Sequence, residues 1–253
     1  MQHSNSKNKW ALITGALGGI GQALVHEFVN SGYRVIATDV KHSDHKVAGV
    51  NFLALDLERF ALEKAYAMEF YQKVNLITED SGISCLINNA AIQILADARD
   101  ISREQWNMSF NVNLSAPFFL SQLFVKDLER NFGSIVNISS IHATQTKKQF
   151  VAYATTKAAL SAMTRNMVLD IGDKVRINAI EPAAIATAML KAGFAGKEQL
   201  YKKLEAFHPL GRIGTPQEVA KLALFLSSDE AGFVQGACIS VSGGIQSCLS
   251  DPS

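Results

Sequence analysis

The stretch Thr14-Gly15-Ala16-Leu17-Gly18-Gly19-Ile20-Gly21 is a glycine-rich turn. It follows an apolar, β-rich run at 10–14 and leads into a segment with helical spacing of its apolar residues. Without side chains, backbone N–H groups can approach a pyrophosphate, and the N-terminus of the helix adds partial positive charge toward the same anion. The stretch therefore predicts a strand–turn–helix unit that binds a dinucleotide, although such turns also serve packing alone.

Seven β-rich runs alternate with longer segments of helical periodicity along the whole chain. Several runs are apolar at consecutive positions, which is typical of parallel strands covered by helices on both faces. The pattern predicts an α/β fold, a Rossmann-like, doubly wound, three-layer structure with a seven-stranded parallel sheet. The predicted strands are 10–14, 34–39, 51–55, 84–88, 134–139, 175–180 and 238–241; the predicted helices are 19–31, 58–73, 102–131, 152–172 and 216–227, with Gly32, Gly133 and Gly172 as helix ends.

The composition indicates a globular chain with a small partner. Of the 253 residues, 48% are hydrophobic and 19% charged, which excludes a disordered or collagen-like chain. Lys and Arg number 24 and Asp and Glu 23, so the formal net charge of +1 provides no field that would attract nucleic acid or an anionic membrane. We therefore expect a small-molecule substrate.

No Pro/Ser-rich linker or charge block divides the chain, so we expect one domain over 1–253 with a polar N-terminal tail at 1–8. Residues 1–9 lack the apolar core of a signal peptide, and the longest apolar stretches fall well short of the roughly 20 residues that span a membrane. Cys85, Cys238 and Cys248 are too scattered for a disulfide framework or a metal cluster. These features predict no membrane, no metal and a reducing cytoplasm.

Asp39 ends the second predicted strand, eighteen residues after Gly21. An acidic residue near this spacing accepts hydrogen bonds from the adenosine ribose hydroxyls. It would repel the 2′-phosphate of NADP by about 4 kcal/mol for a charge pair 4 Å apart at an effective dielectric constant of 20. Asp39 therefore favours NAD. Two alternatives stay open, because Asp39 could merely cap a loop, and Lys41, His42 and His45 could soften the discrimination against NADP.

The ordered set of motifs resembles the short-chain dehydrogenase/reductase family, in its single-domain form of about 250 residues. The likeness covers nearly the whole chain and extends well beyond the glycine turn. It rests on Asp56-Leu57, Asn88-Asn89-Ala90-Ala91, Asn113 in Asn111-Val112-Asn113-Leu114, Ser139-Ser140, Tyr153-Ala154-Thr155-Thr156-Lys157, Asn178-Ala179-Ile180-Glu181-Pro182-Ala183 continuing to Thr187, and the tail from Gly211-Arg212 to Gly243-Gly244.

The residue types themselves suggest the chemistry of the site. Tyr153 and Lys157 are four residues apart on a predicted helix, so both side chains lie on one face. We expect the ammonium group and an oxidised nicotinamide to lower the pKa of the Tyr153 phenol from its usual value of about 10, which would make Tyr153 a usable acid/base.

The resemblance implies a role for each member of the catalytic set Asn113, Ser140, Tyr153 and Lys157. Tyr153 would exchange the proton with the substrate oxygen, and Ser140 would stabilise that oxygen. Lys157 would also hydrogen-bond the nicotinamide ribose, and Asn113 would hold a water that links the lysine to solvent. Purely structural roles remain the alternative: a buried tyrosine, a surface lysine, a serine cap and a structural amide.

The resemblance also implies the cofactor contacts. The turn would bind the pyrophosphate and Asp56 and Leu57 the adenine. The backbone of Asn89 to Ala91 would line the cofactor, and Ile185 and Thr187 would bind the nicotinamide carboxamide. Asp56 and Thr187 could instead be plain helix caps. The expected cofactor-binding residues are Gly15, Leu17, Gly19, Ile20, Gly21, Asp39, Asp56, Leu57, Asn89, Ala90, Ala91, Tyr153, Lys157, Pro182, Ile185 and Thr187.

Four positions depart from the family pattern. Ala91 and Ala183 stand where the family has glycine, Ser242 replaces an aspartate, and Gly18 replaces a serine or basic residue. An alanine at positive φ is strained, so slower or narrower chemistry would follow if either position requires that conformation. We expect Glu181 to be a surface or supporting residue.

The substrate pocket is expected to include Ile92, His142, Phe150 and Met189, with residues 188–210 as a lid. Its mixed character does not identify the substrate. Lys147 and Lys148 would suit a carboxylated substrate but are more typical of a solvated turn.

Together these features predict an NAD(P)-dependent oxidoreductase that interconverts a secondary alcohol and a ketone, with NAD(H) favoured. One alternative is an NADPH-dependent ketoreductase resembling 3-oxoacyl-carrier-protein reductases, and another is a nucleotide-binding protein without catalysis. The resemblance, together with two long predicted helices at 102–131 and 152–172, favours a homotetramer.

Overall fold

The sheet of the computed structural model, which describes residues 9–41 and 47–248, contains seven strands. They are β1 (Trp10–Thr14), β2 (Arg34–Asp39), β3 (Val50–Ala54), β4 (Cys85–Asn88), β5 (Ser134–Ile138), β6 (Arg176–Pro182) and β7 (Cys238–Val241). Their order is β3-β2-β1-β4-β5-β6-β7, and every neighbouring pair is parallel. The predicted seven-stranded parallel sheet is confirmed. The predicted tail at 1–8 and the two histidines at 42 and 45 lie outside the described residues.

Helices cover both faces of the sheet. They are α1 (Gly19–Asn30), α2 (Leu57–Leu62), α3 (Lys64–Thr78), α4 (Arg103–Phe110), α5 (Ala116–Arg130), α6 (Val151–Ile171), α7 (Ala188–Gly193), α8 (Glu198–Ala206) and α9 (Pro216–Ser227). One turn of π-helix, Asn111–Ser115, joins α4 to α5.

Two buried clusters hold the helices to the sheet, one on each face. Phe28 of α1 and Leu226 of α9 belong to the first cluster, and Phe70 of α3 and Phe124 of α5 to the second. All four side chains are buried. Because the sheet contributes apolar residues to both clusters, its strands are apolar at consecutive positions, and the expected three-layer, doubly wound architecture is confirmed.

Three predicted helix boundaries differ from the structure. The helix expected at 58–73 is two helices, because Glu63 has an extended backbone (φ −115°, ψ 100°) between α2 and α3. The helix expected at 102–131 contains the π turn. After α5 it is Phe132, at φ 47°, that adopts the left-handed conformation, whereas Gly133 packs so closely that an added Cβ would lie 2.5 Å from the Ser84 carbonyl oxygen. The other elements agree within about two residues, and α7 and α8 lie within the lid segment.

Because the strands are all parallel, their carboxyl ends lie at one edge of the sheet. The chain leaves β1 toward β2 on one side and later returns through β4 on the other side, so a crevice forms between the carboxyl ends of β1 and β4. Ligands of doubly wound folds bind at such a point. None of the helices within 9–41 and 47–248 has both the length and the apolar character needed to cross a membrane.

Candidate active site

The β1–α1 turn forms a cradle that side chains would fill. Gly15 has φ +65°, and a Cβ there would lie 2.8 Å from the Ala90 Cα. A Cβ on Gly19 would lie 2.9 Å from the Thr187 Cβ, and one on Gly21 would collide with the Gly15 carbonyl. Within the described chain no side chain caps the N-terminus of α1, so its first N–H groups are left for an anion. The turn fits a dinucleotide pyrophosphate.

Asp39 lies against this turn at the end of β2. Its Oδ2 accepts a hydrogen bond from the Leu17 N–H at 3.1 Å, and its Oδ1 accepts one from the Lys41 N–H at 3.4 Å. The half-buried carboxylate thus joins the turn to the loop after β2. It caps that loop, as the structural alternative expected, and it also sets a negative charge beside the turn.

Thr14, which the sequence did not single out, joins β1 to β4 at the crevice. Its buried hydroxyl accepts hydrogen bonds from the N–H groups of Asn89 and Ala90, both at 3.0 Å. The Asn89 side chain donates to the carbonyl oxygens of Thr14 and Gly15 at 2.8 and 3.1 Å. These bonds hold the segment after β4 beside the glycine turn.

The two alanines that replace family glycines are not strained. The non-glycine residues with positive φ in the described chain are Glu79, Asp80, Phe132 and Gln149, so Ala91 and Ala183 adopt conformations open to any residue. The Ala183 N–H donates to the Val241 carbonyl oxygen at 3.0 Å and continues the ladder between β6 and β7. Neither alanine has the positive φ at which it would be strained, so the backbone gives no reason to expect slower or narrower chemistry.

Ser140, Tyr153 and Lys157 come together at the ends of β5 and α6. Ser140 follows β5, and its Oγ accepts a hydrogen bond from the His142 N–H at 3.2 Å and lies near enough to the Tyr153 hydroxyl to affect the pKa of that phenol. The Lys157 side chain is buried, with its Nζ 5.7 Å from the centre of the Tyr153 ring. Nζ donates a hydrogen bond to the Ile138 carbonyl oxygen at 2.6 Å. The structure therefore brings the predicted tyrosine, lysine and serine into one site.

Burial, rather than charge, dominates the acid–base properties of this site. Burial raises the pKa of Tyr153, and the hydrogen bond from Ser140 opposes that rise. Burial also lowers the pKa of Lys157 to about 7. The sequence argument expects the pKa of Tyr153 to fall because of the neighbouring ammonium and an oxidised nicotinamide together. In the protein alone this is not the case, because burial disfavours the charged forms of both groups.

Asn113 lies in the π turn, and both polar atoms of its side chain form hydrogen bonds within the protein. Its Oδ1 accepts from the Ile92 N–H at 2.8 Å, and its Nδ2 donates to the Ile92 carbonyl oxygen at 2.9 Å and to Thr156 Oγ1 at 3.1 Å. Pro117, four residues later, has no N–H, so the Asn113 carbonyl cannot accept the usual α-helical hydrogen bond. A water at Asn113 would therefore bind its carbonyl oxygen and not its amide.

An aromatic cluster lines the approach to Tyr153. The His142 and Phe150 rings stack with centroids 4.4 Å apart, and the Tyr153 ring meets both edge-on at 5.8 and 6.1 Å. Burial and the Lys147 charge lower the pKa of His142 to about 4, so this ring is neutral. Phe150 also lines a cavity of about 430 Å³ with residues 97–99 and 146–151. Of the four expected pocket residues, Ile92 lies against Asn113, and the Met189 side chain is outside the described atoms.

The remaining predicted cofactor residues have structural contacts of their own. Asp56 caps α2 by accepting from the Arg59 N–H at 3.1 Å, and the next residue, Leu57, is buried. Thr187 caps α7 by accepting from the Leu190 N–H at 3.2 Å. Ile185 is buried near the end of β6, which finishes at Pro182. The capping alternatives for Asp56 and Thr187 are thus realised, and both residues lie at the same sheet edge as the turn.

Of the two positions expected for Glu181, at the surface or supporting the site, the structure excludes the surface. Glu181 is 6% exposed and lies on β6 facing α6, where Ser161 donates to its Oε1 at 2.7 Å. No local sequence pattern predicts that Glu181 is buried, because its burial depends on how α6 packs against the sheet. Across the part of the chain that the structure describes, no group of three or more His, Cys, Asp or Glu side chains could hold a metal ion.

Comparisons with known proteins agree with this geometry. The sequence profile described as Enoyl-(Acyl carrier protein) reductase matches residues 15–246. The NAD-dependent glycerol dehydrogenase of Listeria innocua is 32% identical over 251 residues, covering 95% of this chain and 94% of that protein. The 3-oxoacyl-[acyl-carrier-protein] reductase of Thermotoga maritima is 34% identical over 246 residues, covering 94% and 98%.

The fold also matches a solved structure over nearly the whole chain. The ligand-free aldohexose dehydrogenase of Thermoplasma acidophilum superimposes with a TM-score of 0.90 at 30% identity, covering 99% of this chain and 98% of that one. Profile, relatives and fold all extend over nearly the full length. The chain belongs to the short-chain dehydrogenase/reductase family, oxidoreductases that act on CH–OH and carbonyl groups with NAD or NADP.

Proposed function

We propose that the protein is an NAD(H)-dependent oxidoreductase that interconverts a secondary alcohol and a ketone, with Tyr153 as the acid/base. The observation that carries this proposal is the contact between Ser140 and the Tyr153 hydroxyl, with Lys157 buried beside them, at the sheet edge that also holds the glycine turn. A proton donor and an oxyanion-stabilising hydroxyl are what carbonyl reduction requires.

In this mechanism, Ser140 and Tyr153 bind the substrate oxygen with their hydroxyl groups. Tyr153 gives the oxygen a proton during reduction and takes it back during oxidation. The hydride would come from, or pass to, a nicotinamide held by the glycine turn and the neighbouring residues. Lys157 supplies a positive charge that favours the phenolate, and the Asn113 carbonyl holds the water that reconnects Lys157 with solvent. The aromatic rings of His142 and Phe150 exclude water from the reacting oxygen.

Asp39 supports NAD over NADP as the cofactor. Its carboxylate lies against the turn, where the 2′-phosphate of NADP would bring like charge. The 34% identity to a 3-oxoacyl-[acyl-carrier-protein] reductase supports one second candidate, an NADPH-dependent ketoreductase. The measurement that separates the two is a titration with NADH and NADPH that follows nicotinamide fluorescence. Tighter binding of NADPH would overturn our choice of cofactor.

The proposed site includes the residues that bind each part of the ligand. The turn (Gly15, Leu17, Gly19, Ile20 and Gly21) binds the pyrophosphate, and Asp56 and Leu57 border the adenine. The backbone of Asn89 to Ala91 and Pro182 line the cofactor, and Ile185 and Thr187 bind the nicotinamide carboxamide. Ile92, His142, Phe150 and Met189 contact the substrate, beneath a lid formed by 188–210. We treat 1–253 as one domain and propose a reducing cytoplasm as its location, because Cys85, Cys238 and Cys248 are free.

Replacing Tyr153 with Phe tests the mechanism. We expect turnover of any accepted ketone to fall by at least about a thousandfold, because the phenol is the proton donor, while the dissociation constant for NADH changes less than about threefold. Thr155→Ala is the matched control, since the Thr155 side chain is exposed on the same helix and bonds only the Val151 carbonyl. Full activity in Tyr153→Phe would refute the mechanism.

A further inference from the structure

A buried chain of polar groups connects β6 to the catalytic helix. Ser161 Oγ donates to Glu181 Oε1 at 2.7 Å and lies 2.8 Å from Ser139 Oγ. Ser139 Oγ in turn lies 2.9 Å from the Lys157 carbonyl oxygen, to which it donates. Glu181, Ser161, Ser139 and Lys157 are all at most 6% exposed. This series of hydrogen-bonded groups, the polar chain, thus runs from the Glu181 carboxylate on β6 to the backbone of Lys157, a predicted catalytic residue.

The carboxylate determines the direction of these hydrogen bonds. Each serine hydroxyl has one hydrogen to donate. Ser161 directs its hydrogen to Glu181, so Ser139 shares its own hydrogen between Ser161 Oγ and the Lys157 carbonyl oxygen. Without an acceptor at Glu181, the Ser161 hydroxyl would instead donate to Ser139, Ser139 would give its whole hydrogen to the Lys157 carbonyl oxygen, and the set of hydrogen bonds that fixes the position of Ser139 would change.

Burying this carboxylate is unfavourable for folding. No Lys, Arg or His of the described residues forms an ion pair with Glu181. The neighbouring Arg165 instead directs its Nη1 to Cys238 Sγ at 3.3 Å. A buried carboxylate without a cation destabilises a protein relative to an apolar side chain of similar size. A residue of this kind is expected where its hydrogen bonds serve the site.

The polar chain reaches the site from two sides. On one side Ser139 directly precedes Ser140, whose hydroxyl lies near enough to Tyr153 to lower the pKa of its phenol, and the Ser139 N–H donates to the Ile180 carbonyl oxygen at 2.8 Å. On the other side it holds the backbone of Lys157, one turn after Tyr153. Any movement of Ser139 therefore changes the alignment of Ser140 with the phenol.

We propose that Glu181 is a positioning residue, which acts through Ser161 and Ser139 to hold Ser140 and Lys157 in register with Tyr153. The inference rests on the proposed function of those three residues. The polar chain ends on the Lys157 carbonyl and not on Nζ, so it fixes geometry and carries no proton to the ammonium.

The first test is independent of turnover. The phenol of Tyr153 is titrated by ultraviolet difference absorbance, with Tyr153→Phe in each background as the blank. Glu181→Leu removes the acceptor, and Glu181→Gln keeps a carbonyl oxygen in the same place. His142 and Lys157, the titratable groups beside the Tyr153 ring, are present in both variants. We expect a higher midpoint in Glu181→Leu, because the hydrogen bond from Ser140 that lowers the pKa of Tyr153 is weakened, and a wild-type midpoint in Glu181→Gln.

The second test is kinetic. We expect Glu181→Leu to lower kcat by about tenfold, equivalent to about 1.4 kcal/mol, with the KM for the cofactor changed less than twofold. Glu181→Gln should keep kcat within about threefold of wild type. Ser161→Ala should lower kcat as Glu181→Leu does, and the double variant should lose little more, because both act through one path. If Glu181→Leu does not fold, Ser161→Ala replaces it as the test variant.

Three results would overturn the proposal. The first is a wild-type Tyr153 midpoint together with a wild-type kcat in Glu181→Leu. The second is a lower melting temperature in that variant with both other readouts unchanged, which would make Glu181 purely structural. The third is a Glu181→Gln variant as impaired as Glu181→Leu. If the wild-type protein turns over no ketone with either cofactor, the proposed function fails, and the Tyr153 titration still decides the role of Glu181.

Discussion

At the scale of single residues, burial controls the charge of the site. Lys157 is surrounded by protein, so its ammonium group has lost hydration, and one carbonyl oxygen at 2.6 Å replaces only part of it. Its pKa falls to about 7 as a result. At neutral pH the lysine therefore exists in both protonation states, and a bound ligand that offers acceptors would favour the charged one.

This burial predicts a pH-dependent stability. The unfolded chain protonates Lys157 up to its ordinary pKa near 10.5, whereas the folded chain releases the proton near 7. Between these values the unfolded state binds more protons, so the free energy of unfolding rises with pH, by roughly 2 kcal/mol from pH 7 to pH 9. Urea unfolding of wild type and Lys157→Met at both pH values measures it. We expect the rise to be absent in Lys157→Met, and an equal rise in both proteins would contradict the assignment.

At the scale of secondary structure, the π turn Asn111–Ser115 interrupts what would otherwise be one long helix. Pro117 supplies a reason, because it removes the N–H that would bond the Asn113 carbonyl. Single-turn π segments within α-helices are frequent at functional sites. The turn keeps the Asn113 side chain on the Ile92 backbone while its carbonyl has no i+4 partner.

Pro117→Ala tests this element. The new N–H can bond the Asn113 carbonyl as in a regular helix, so we expect kcat to fall by about tenfold while NADH binding stays within about threefold of wild type. Pro216→Ala is the control, because this proline begins α9 and its missing N–H has no intrahelical acceptor. An unchanged kcat in Pro117→Ala would show that the Asn113 carbonyl takes no part in the proposed proton path.

Prediction from sequence succeeded where the signal is local. Alternation of apolar runs and helical patterns identified all seven strands, and the spacing of Tyr153 and Lys157 placed both on α6. It was incomplete where the outcome depends on distant packing. The burial of Glu181, and the rise in the pKa of Tyr153, come from elements that meet only in the folded chain. The π turn had a local signal in Pro117, which helical periodicity alone does not reveal.

At the scale of the whole molecule, exposed apolar side chains on α5 and α6 support the expected self-association. Phe118 and Phe119 of α5 are each 38% exposed, and Leu169 of α6 is 84% exposed. Apolar patches on helices of this length are typical of interfaces between identical subunits.

We predict that the wild-type protein is a homotetramer and that Leu169→Glu lowers its oligomeric state, because a buried charge without a partner opposes association. Light scattering at micromolar concentration measures the mass. Leu76→Glu is the matched control, since Leu76 is 81% exposed on α3 and should leave the mass unchanged. A monomeric wild type, or a loss of mass only in Leu76→Glu, would contradict the prediction.

The hydrogen bond from the Leu17 N–H to Asp39 has a consequence for redesign of the protein. In the proposed function the Asp39 carboxylate selects against a 2′-phosphate, and the same carboxylate holds the turn that is proposed to bind the pyrophosphate. Removing it to admit NADP would therefore weaken the hold on either coenzyme. A change of coenzyme that keeps full affinity requires a neutral acceptor at the same place, such as the amide oxygen of asparagine. Coenzyme choice and affinity are thus coupled through one side chain, and a substitution at position 39 separates them only if it keeps the hydrogen bond from Leu17.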